Sequence, residues 1–280
     1  MAKVVSCGWA CLDQRYYVEQ FPPTHSRTGV RAYREAVGGP AAVGAVAIAR
    51  LGGEAHLVSR RGDDATGERL EALLRAERVK THFQMGAATP VSAVLVAPDG
   101  ERHIFPYRPE LPEALVLNAE RILEGADALL LDGRWPDGGL RLGQFAHRRS
   151  LPVLLDLDRD RPGDWSLVQV STHVVASQEF AQSVGGVQAL LERLSKERVW
   201  AAVTLGPEGV VYPGGHLPAY RVHVQDTTGA GDVFHGALAL ALAQGKGELE
   251  GLEFAAAAAA LHCSNGAPPR GDEVRAFLGT

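Results

Sequence analysis

The residues best suited to chemistry lie late in the chain, in Asp226-Thr227-Thr228-Gly229-Ala230-Gly231-Asp232. Upstream, Val222-His223-Val224 alternates in the manner of a strand end. Downstream, Val233 to Ala243 is apolar nearly all the way round, as in a helix buried on every side. The spacing therefore predicts a small-residue turn feeding the first turn of a core helix. There the unpaired backbone N–H groups and the positive end of the helix dipole favour an anion. Gly229 and Gly231 lack the Cβ that would keep a phosphate off the backbone. Asp232 adds a carboxylate beside that anion site. Phosphoryl transfer uses both: N–H groups of Gly229, Ala230 and Gly231 hold the charge building on the transferring group, and Asp232 takes the proton from the attacking hydroxyl. A lone Gly-Ala-Gly-Asp also suits a merely capped turn, so the rest of the chain has to decide.

The elements that must hold this corner read as an α/β chain. At 280 residues with 46 % hydrophobic content, one large domain with a sizeable core is expected. Lys3 to Cys7 is a short buried strand ending at Gly8, and Asp13 follows, where ligands sit beyond the carboxyl ends of parallel strands. Residues 19–35, rich in Pro, Gly, Thr and Arg, then alternate through Val30 to Glu35 as extended strands away from the main sheet. Gly38-Gly39-Pro40 opens a helix over 41–50, with Pro in its first turn. Residues 90–107 read as a hairpin about the turn Pro98-Asp99-Gly100-Glu101. From about residue 119 strands and helices alternate, the signal of a parallel sheet with right-handed crossovers. Thr204 to Gly209 ends one strand in a tight glycine turn, and helices over 249–263 and 272–278 close the chain. There is no linker and no internal repeat, so one domain over 1–280 is expected.

Composition narrows the function. A net charge of −5 with no basic run argues against a nucleic-acid binder. The N-terminus enters a strand pattern without signal-peptide layout, and no apolar run is long enough to span a bilayer, so a cytoplasmic protein is expected. Three cysteines without a Cys-x-x-Cys pair indicate neither a disulfide scaffold nor a zinc site. Neither Walker A nor Gly-x-Gly-x-x-Gly after the first strand is present, which removes the main support for a dinucleotide-binding oxidoreductase.

The string Asp226 to Phe234 resembles the C-terminal signature of the ribokinase-like (PfkB) family of carbohydrate kinases. The run Gly38-Gly39, Arg50-Leu51-Gly52, Gly62-Asp63-Asp64 and Gly67 resembles its N-terminal signature. Thr204-Leu205-Gly206-Pro207-Glu208-Gly209 resembles its nucleotide-side loop, and Asn265-Gly266-Ala267 the loop beside the adenine. The resemblance implies a three-layer α/β/α fold with a mostly parallel central sheet and a small β-sheet lid, built from segments of about 14–36 and 90–108. It implies transfer of the γ-phosphoryl group of ATP, with Mg²⁺, to a primary sugar hydroxyl. Asp232 would be the base; Asp13, Gly38 and Gly39 would grip the sugar. Thr204, Gly206, Gly209, Thr228, Asn265 and Gly266 would lie on the nucleotide side. A homodimer through the lid is also expected. Two departures stand out: Val43 occupies the place of a commonly sugar-contacting Asn, and Ser177-Gln178-Glu179-Phe180 replaces the Asn-x-x-Glu that arranges the metal's water shell, so no metal ligand is assigned.

Within the family, Tyr16 to Glu19, Gly38 to Ala42, Asp132-Gly133-Arg134-Trp135 and Asp226 to Leu238 look most like the bacterial sulfofructose kinases. A sulfonate-tailed ketose needs cationic donors far from the reacting hydroxyl, and the Arg fork suits a trigonal anion. Arg134, after a strand end, and Arg27 or Arg31, from the lid, are the candidates. Fructokinase, 2-keto-3-deoxygluconate kinase and nucleoside kinase share the same catalytic end. A non-catalytic sugar-binding protein would keep the fold but lose the base.

Overall fold

The computed structural model describes residues 1–21, 26–97 and 102–279. The strands are β1 (Lys3–Cys7), β2 (Cys11–Val18), β3 (Val30–Gly38), β4 (Glu54–Gly62), β5 (Lys80–Gly86), β6 (Val91–Val96), β7 (Arg102–Tyr107), β8 (Ala128–Leu131), β9 (Val153–Leu157), β10 (His173–Ser177), β11 (Trp200–Thr204), β12 (Val210–Tyr212) and β13 (Gly215–Leu217). The helices are α1 (Pro40–Arg50), α2 (Ala65–Ala76), α3 (Ala119–Ile122), α4 (Pro136–Arg148), α5 (Asp164–Val168), α6 (Gln178–Ser183), α7 (Val187–Lys196), α8 (Ala230–Ala243), α9 (Glu248–Asn265) and α10 (Gly271–Leu278).

Nine strands form the main sheet in the order β13-β12-β11-β10-β9-β8-β1-β4-β5, parallel except for β12 and β13. Its central strands are apolar on both faces because helices cover both. Val4 and Leu130 face a core shared with α1, α8 and α9; Val5, Leu129 and Leu131 face a second core shared with α4, α6 and α7. The expected three layers are therefore present. Chain order reverses at β1, which pairs with β4 on one side and β8 on the other. That switch point opens a crevice at the strands' carboxyl ends, the usual place for a ligand in such sheets.

The smaller sheet runs β3-β2-β6-β7. It matches the expected small sheet but begins earlier than residue 14, since β2 starts at Cys11 and includes Asp13. The expected turn over 98–101 lies outside the described residues. One local expectation is overturned: Val222-His223-Val224 joins no ladder. The irregular segment that contains it is tied down further on, where Gln225 and Asp226 donate their N–H groups to the Cys263 carbonyl at 2.8 and 3.1 Å. That contact satisfies the backbone there without a strand partner.

Helix α8 follows the small-residue turn singled out in the sequence, and it is the most enclosed of the described helices. Val233 to Leu242 are all buried, and burying each Leu contributes about 1.5–3 kcal/mol. It crosses α1 at a contact of bare backbones: a Cβ on Gly236 would lie 2.5 Å from the Gly44 carbonyl oxygen. The two helix N-termini are thereby brought to the same side of the crevice, Gly39-Pro40 beside Gly229-Ala230.

Candidate active site

The turn before α8 has the form that the small residues require. Gly229 stands at the N-cap in the left-handed region, φ +81°, where a side chain would be strained. Thr228 N–H is taken by Asp226 Oδ1 at 2.7 Å, and Ala230 N–H by the Thr227 carbonyl at 3.2 Å. Among the described residues the N–H groups of Gly229, Gly231 and Asp232 meet no internal acceptor, which leaves three donors at a helix N-terminus for an anion. The Ala230 N–H, counted on from sequence, is turned into the loop instead.

Asp232 is half-buried beside these donors. Burial pushes its carboxyl well above the usual range; the charge of Asp156 pushes the same way, and Arg134 opposes both. A carboxylate so held is a stronger base than one in water. The groups around it come from the carboxyl ends of β8 and β9. Asp132, only 1 % exposed, accepts N–H bonds from Trp9 at 2.7 Å, Ala41 at 3.0 Å and Arg134 at 2.9 Å. One buried carboxylate thus ties the end of β1, the start of α1 and the β8–α4 turn together. The Arg134 side chain pairs with Asp158, which also binds Arg161 at 2.6 Å. Burial works against the Arg134 charge, but the fields of Asp132, Asp158, Asp156 and Asp232 outweigh it. Asp156 lies 3.6 Å from His235, and burial pushes its carboxyl up to about 6.

The lid closes the other side. Asp13 points inward from β2 with Arg15 at 3.7 Å, and a Cβ on Gly38 would fall 2.1 Å from its carboxylate oxygen. Gly38 is what makes room for Asp13. Burial raises the Asp13 carboxyl, with Arg15 opposing. Asp226, at the head of the anion loop, binds Arg102 of β7 at 2.5 Å and lies 3.8 Å from Arg15 of β2. Lid and loop are therefore joined through one carboxylate.

A single cleft of about 690 Å³ is lined by Asp13, Gly38, Gly39, Arg134, Thr228, Gly229, Asp232 and Gly266, so eight of the expected residues meet in one place. Ala230 and Gly231 follow at the head of α8 without lining it. Arg27 is exposed on the lid, outside the lining. Thr204, Gly206 and Gly209 sit in the hairpin between β11 and β12, where Thr204 Oγ1 donates to the Ala176 carbonyl at 3.3 Å. Gly209 serves that hairpin directly, since a Cβ there would be 2.1 Å from the Leu217 carbonyl oxygen. Asn265 is exposed at the end of α9. The sequence does not mark Arg108, which lines the cleft, or the bridging roles of Asp132 and Asp226, although the last two stand inside the strings quoted above. For a metal, Ser177 Oγ caps α6 by accepting the Phe180 N–H at 3.0 Å, and Glu179 turns to Arg159 at 3.6 Å. Among the described residues no group of three His, Cys, Asp or Glu converges to hold an ion, so no direct Mg²⁺ ligand is assigned.

Comparison with known proteins finds relatives along nearly the whole chain. Residues 1–268 match the family described as pfkB family carbohydrate kinase. Ribokinase of Bacillus subtilis is 30 % identical over 261 residues, covering 88 % of this chain and 89 % of its own. Fructokinase-1 of Oryza sativa is 31 % identical over 302 residues, covering 92 % and 90 %. Arabidopsis thaliana ribokinase complexed with ribose and ATP superposes with a TM-score of 0.83 at 25 % identity, over the whole of both chains. The chain belongs to the pfkB family of carbohydrate kinases and is an ATP-dependent phosphotransferase acting on a sugar hydroxyl.

Proposed function

We propose that the acceptor is a primary hydroxyl of a ketose with an anionic tail, of the 6-deoxy-6-sulfofructose kind. The observation that carries this reading is a basic wall in the cleft that holds Asp232. Arg108, Arg134, Arg159 and Arg161 all line it. Arg134 and Arg161 are already met by Asp158, whereas Arg108 is exposed and has no partner among the described residues, which leaves its fork for a trigonal anion.

Asp13 would accept from the sugar's hydroxyls and hold the reacting one toward Asp232. Asp232 takes its proton as the oxygen attacks, an effect of about 10²–10⁴-fold. The free N–H groups of Gly229 and Gly231 meet the charge on the transferring group, and the absence of Cβ there fits the approach of a phosphate. ATP supplies that group, and Mg²⁺ is expected with its phosphates. Thr228 and Gly266 line the nucleotide side; Thr204, Gly206, Gly209 and Asn265 flank it. The lid excludes water, which would otherwise compete for the phosphoryl group.

A neutral ketose is the second reading, favoured by the pairing of Arg134 with Asp158 and by the 31 % identity to rice fructokinase-1. Turnover of fructose, fructose 6-phosphate and 6-deoxy-6-sulfofructose with ATP separates the two. Preference for an anionic sugar, weakened by Arg108→Gln, supports the tail. A strong preference for plain fructose discards it.

A further inference from the structure

Two buried histidines that the reaction scheme does not use touch carbonyls of the anion loop and of the first turn of α8. His262 of α9 is 5 % exposed, and its Nε2 lies 2.7 Å from the Thr228 carbonyl oxygen. His235 of α8 is 6 % exposed, and its Nδ1 lies 2.7 Å from the Gly231 carbonyl oxygen. A carbonyl only accepts, so each imidazole donates there. The Nδ1 of His262 is buried without a partner, so the ring's one hydrogen bond is the donation from Nε2. The second nitrogen of His235 also meets acceptors only, the Val175 carbonyl at 3.3 Å and Asp156 at 3.6 Å. That ring therefore bridges the first turn of α8 to the ends of β9 and β10.

We infer that His262 and His235 are positioning residues that aim the anion-holding N–H groups. In a trans peptide the C=O and the following N–H point in opposite directions. Holding the Thr228 carbonyl toward α9 turns the Gly229 N–H away from α9. Were α8 one turn longer, that same carbonyl would accept from Asp232 N–H; His262 occupies it instead, and the Asp232 N–H stays free. Holding the Gly231 carbonyl fixes the plane that carries the Asp232 N–H, and with it the root of the catalytic side chain. The two contacts bracket the loop at its entry and at the first helical turn. They set donor direction before any ligand arrives, which is where electrostatic stabilisation of a transition state gains its strength. The inference rests on the kinase chemistry of the site and is independent of which sugar is used.

The test compares His262→Leu and His235→Leu with His262→Gln and His235→Asn, whose amides return an N–H to the place of Nε2 and Nδ1 respectively. Thermal melts confirm that each variant is folded. The Leu variants are expected to lose roughly tenfold or more in kcat, by analogy with the loss of one oxyanion donor, with the sugar KM within about twofold because Asp13 is untouched. The amide variants are expected to recover most of the loss. A readout independent of turnover is the ¹⁵N amide spectrum titrated with ADP and inorganic phosphate: Gly229 and Asp232 should both shift in the wild type and in the amide variants, whereas Gly229 should shift little in His262→Leu and Asp232 little in His235→Leu. If no sugar in the panel is turned over by the wild type, the sugar assignment fails while the spectrum still decides this inference. A folded Leu variant with wild-type kcat, or one whose governed amide (Gly229 in His262→Leu, Asp232 in His235→Leu) shifts as in the wild type, overturns it.

Discussion

Asp232 combines two properties that pull against each other, a place in the cleft and surroundings that resist its charge. Burial and Asp156 hold its carboxyl above the ordinary range, and in the proposed role of base only the unprotonated form could accept the sugar's proton. Activity should therefore fall as pH drops, along an acid limb above the value of about 3.9 that a free Asp shows. A kcat/KM profile in pH checks this, and a limb in the free-Asp range would count against it. Asp232→Asn should lower kcat by about 10²–10⁴-fold with ADP release as the measure; equal rates would remove the residue from its role. A second carboxyl tests the same physics through stability. Asp164 is fully buried, accepts the Arg161 N–H at 2.8 Å, leaves its other oxygen without a partner, and is pushed up to about 6 by burial. Between about pH 4 and pH 6 the folded state binds the proton more tightly than the unfolded chain, so stability falls as pH rises through that window and stays lowered above it. Asp164→Asn removes that penalty and keeps the oxygen that Arg161 uses. Its melting temperature should exceed wild type at pH 8 and match it near pH 4; a constant offset at both would refute the argument. Asp232 and Gly229 were legible as neighbours of one cleft because they stand in one unbroken string at the head of α8. Arg108 was not, because an isolated Arg in a sequence gives no sign of the cleft that it faces.

At the scale of elements, the lid and the anion loop are coupled rather than merely adjacent. Asp226 holds the Thr228 N–H on the loop side and Arg102 of β7 on the lid side, with Arg15 of β2 nearby, all three side chains 17–18 % exposed. A partly shielded pair of this kind is worth on the order of 1 kcal/mol, or roughly fivefold in an equilibrium. Arg102→Gln should therefore raise the sugar KM roughly fivefold. It should also increase ATP hydrolysis in the absence of sugar, because a looser lid admits water. Unchanged background hydrolysis would mean that the pair does not hold the lid. Local patterning made the elements themselves readable: the apolar run of α8, the Pro at the head of α1 and the strand–helix alternation after residue 119 each gave the right type. The misreadings came where long-range partners decide. Val222 to Val224 alternates like a strand but belongs to a segment tied to α9, and the small sheet starts before residue 14 because β3 and β6 pair with β2 from Cys11 and Leu12 on.

The whole molecule leaves one surface unexplained by the chemistry of a single chain. Cross-strand register puts Tyr33, Tyr16 and Leu95 on one face of the small sheet, and alternation along β7 adds Phe105 and Tyr107 to it. The opposite face carries Asp13, Ser92 and Pro106 into the cleft. On the outer face Phe105 and Tyr107 are each 57 % exposed and Tyr33 is 47 % exposed, an aromatic patch of the kind that usually marks an interaction site. The sheet sits over the cleft while α2 and the Asp226 pair hold it at one side, so support on the outer face would steady the lid from the other. A second copy of the chain offers the same patch and can meet it about a two-fold axis. Sedimentation velocity should then show a dimer, and Phe105→Glu should give a folded monomer whose sugar KM is raised while its catalytic corner is untouched. A wild-type chain that sediments as a monomer at assay concentration, or a Phe105→Glu variant that remains dimeric, would remove the lid from the interface. The outcome bears on the cleft as much as on assembly, because the strand that carries Asp13 is held between the pocket and that face.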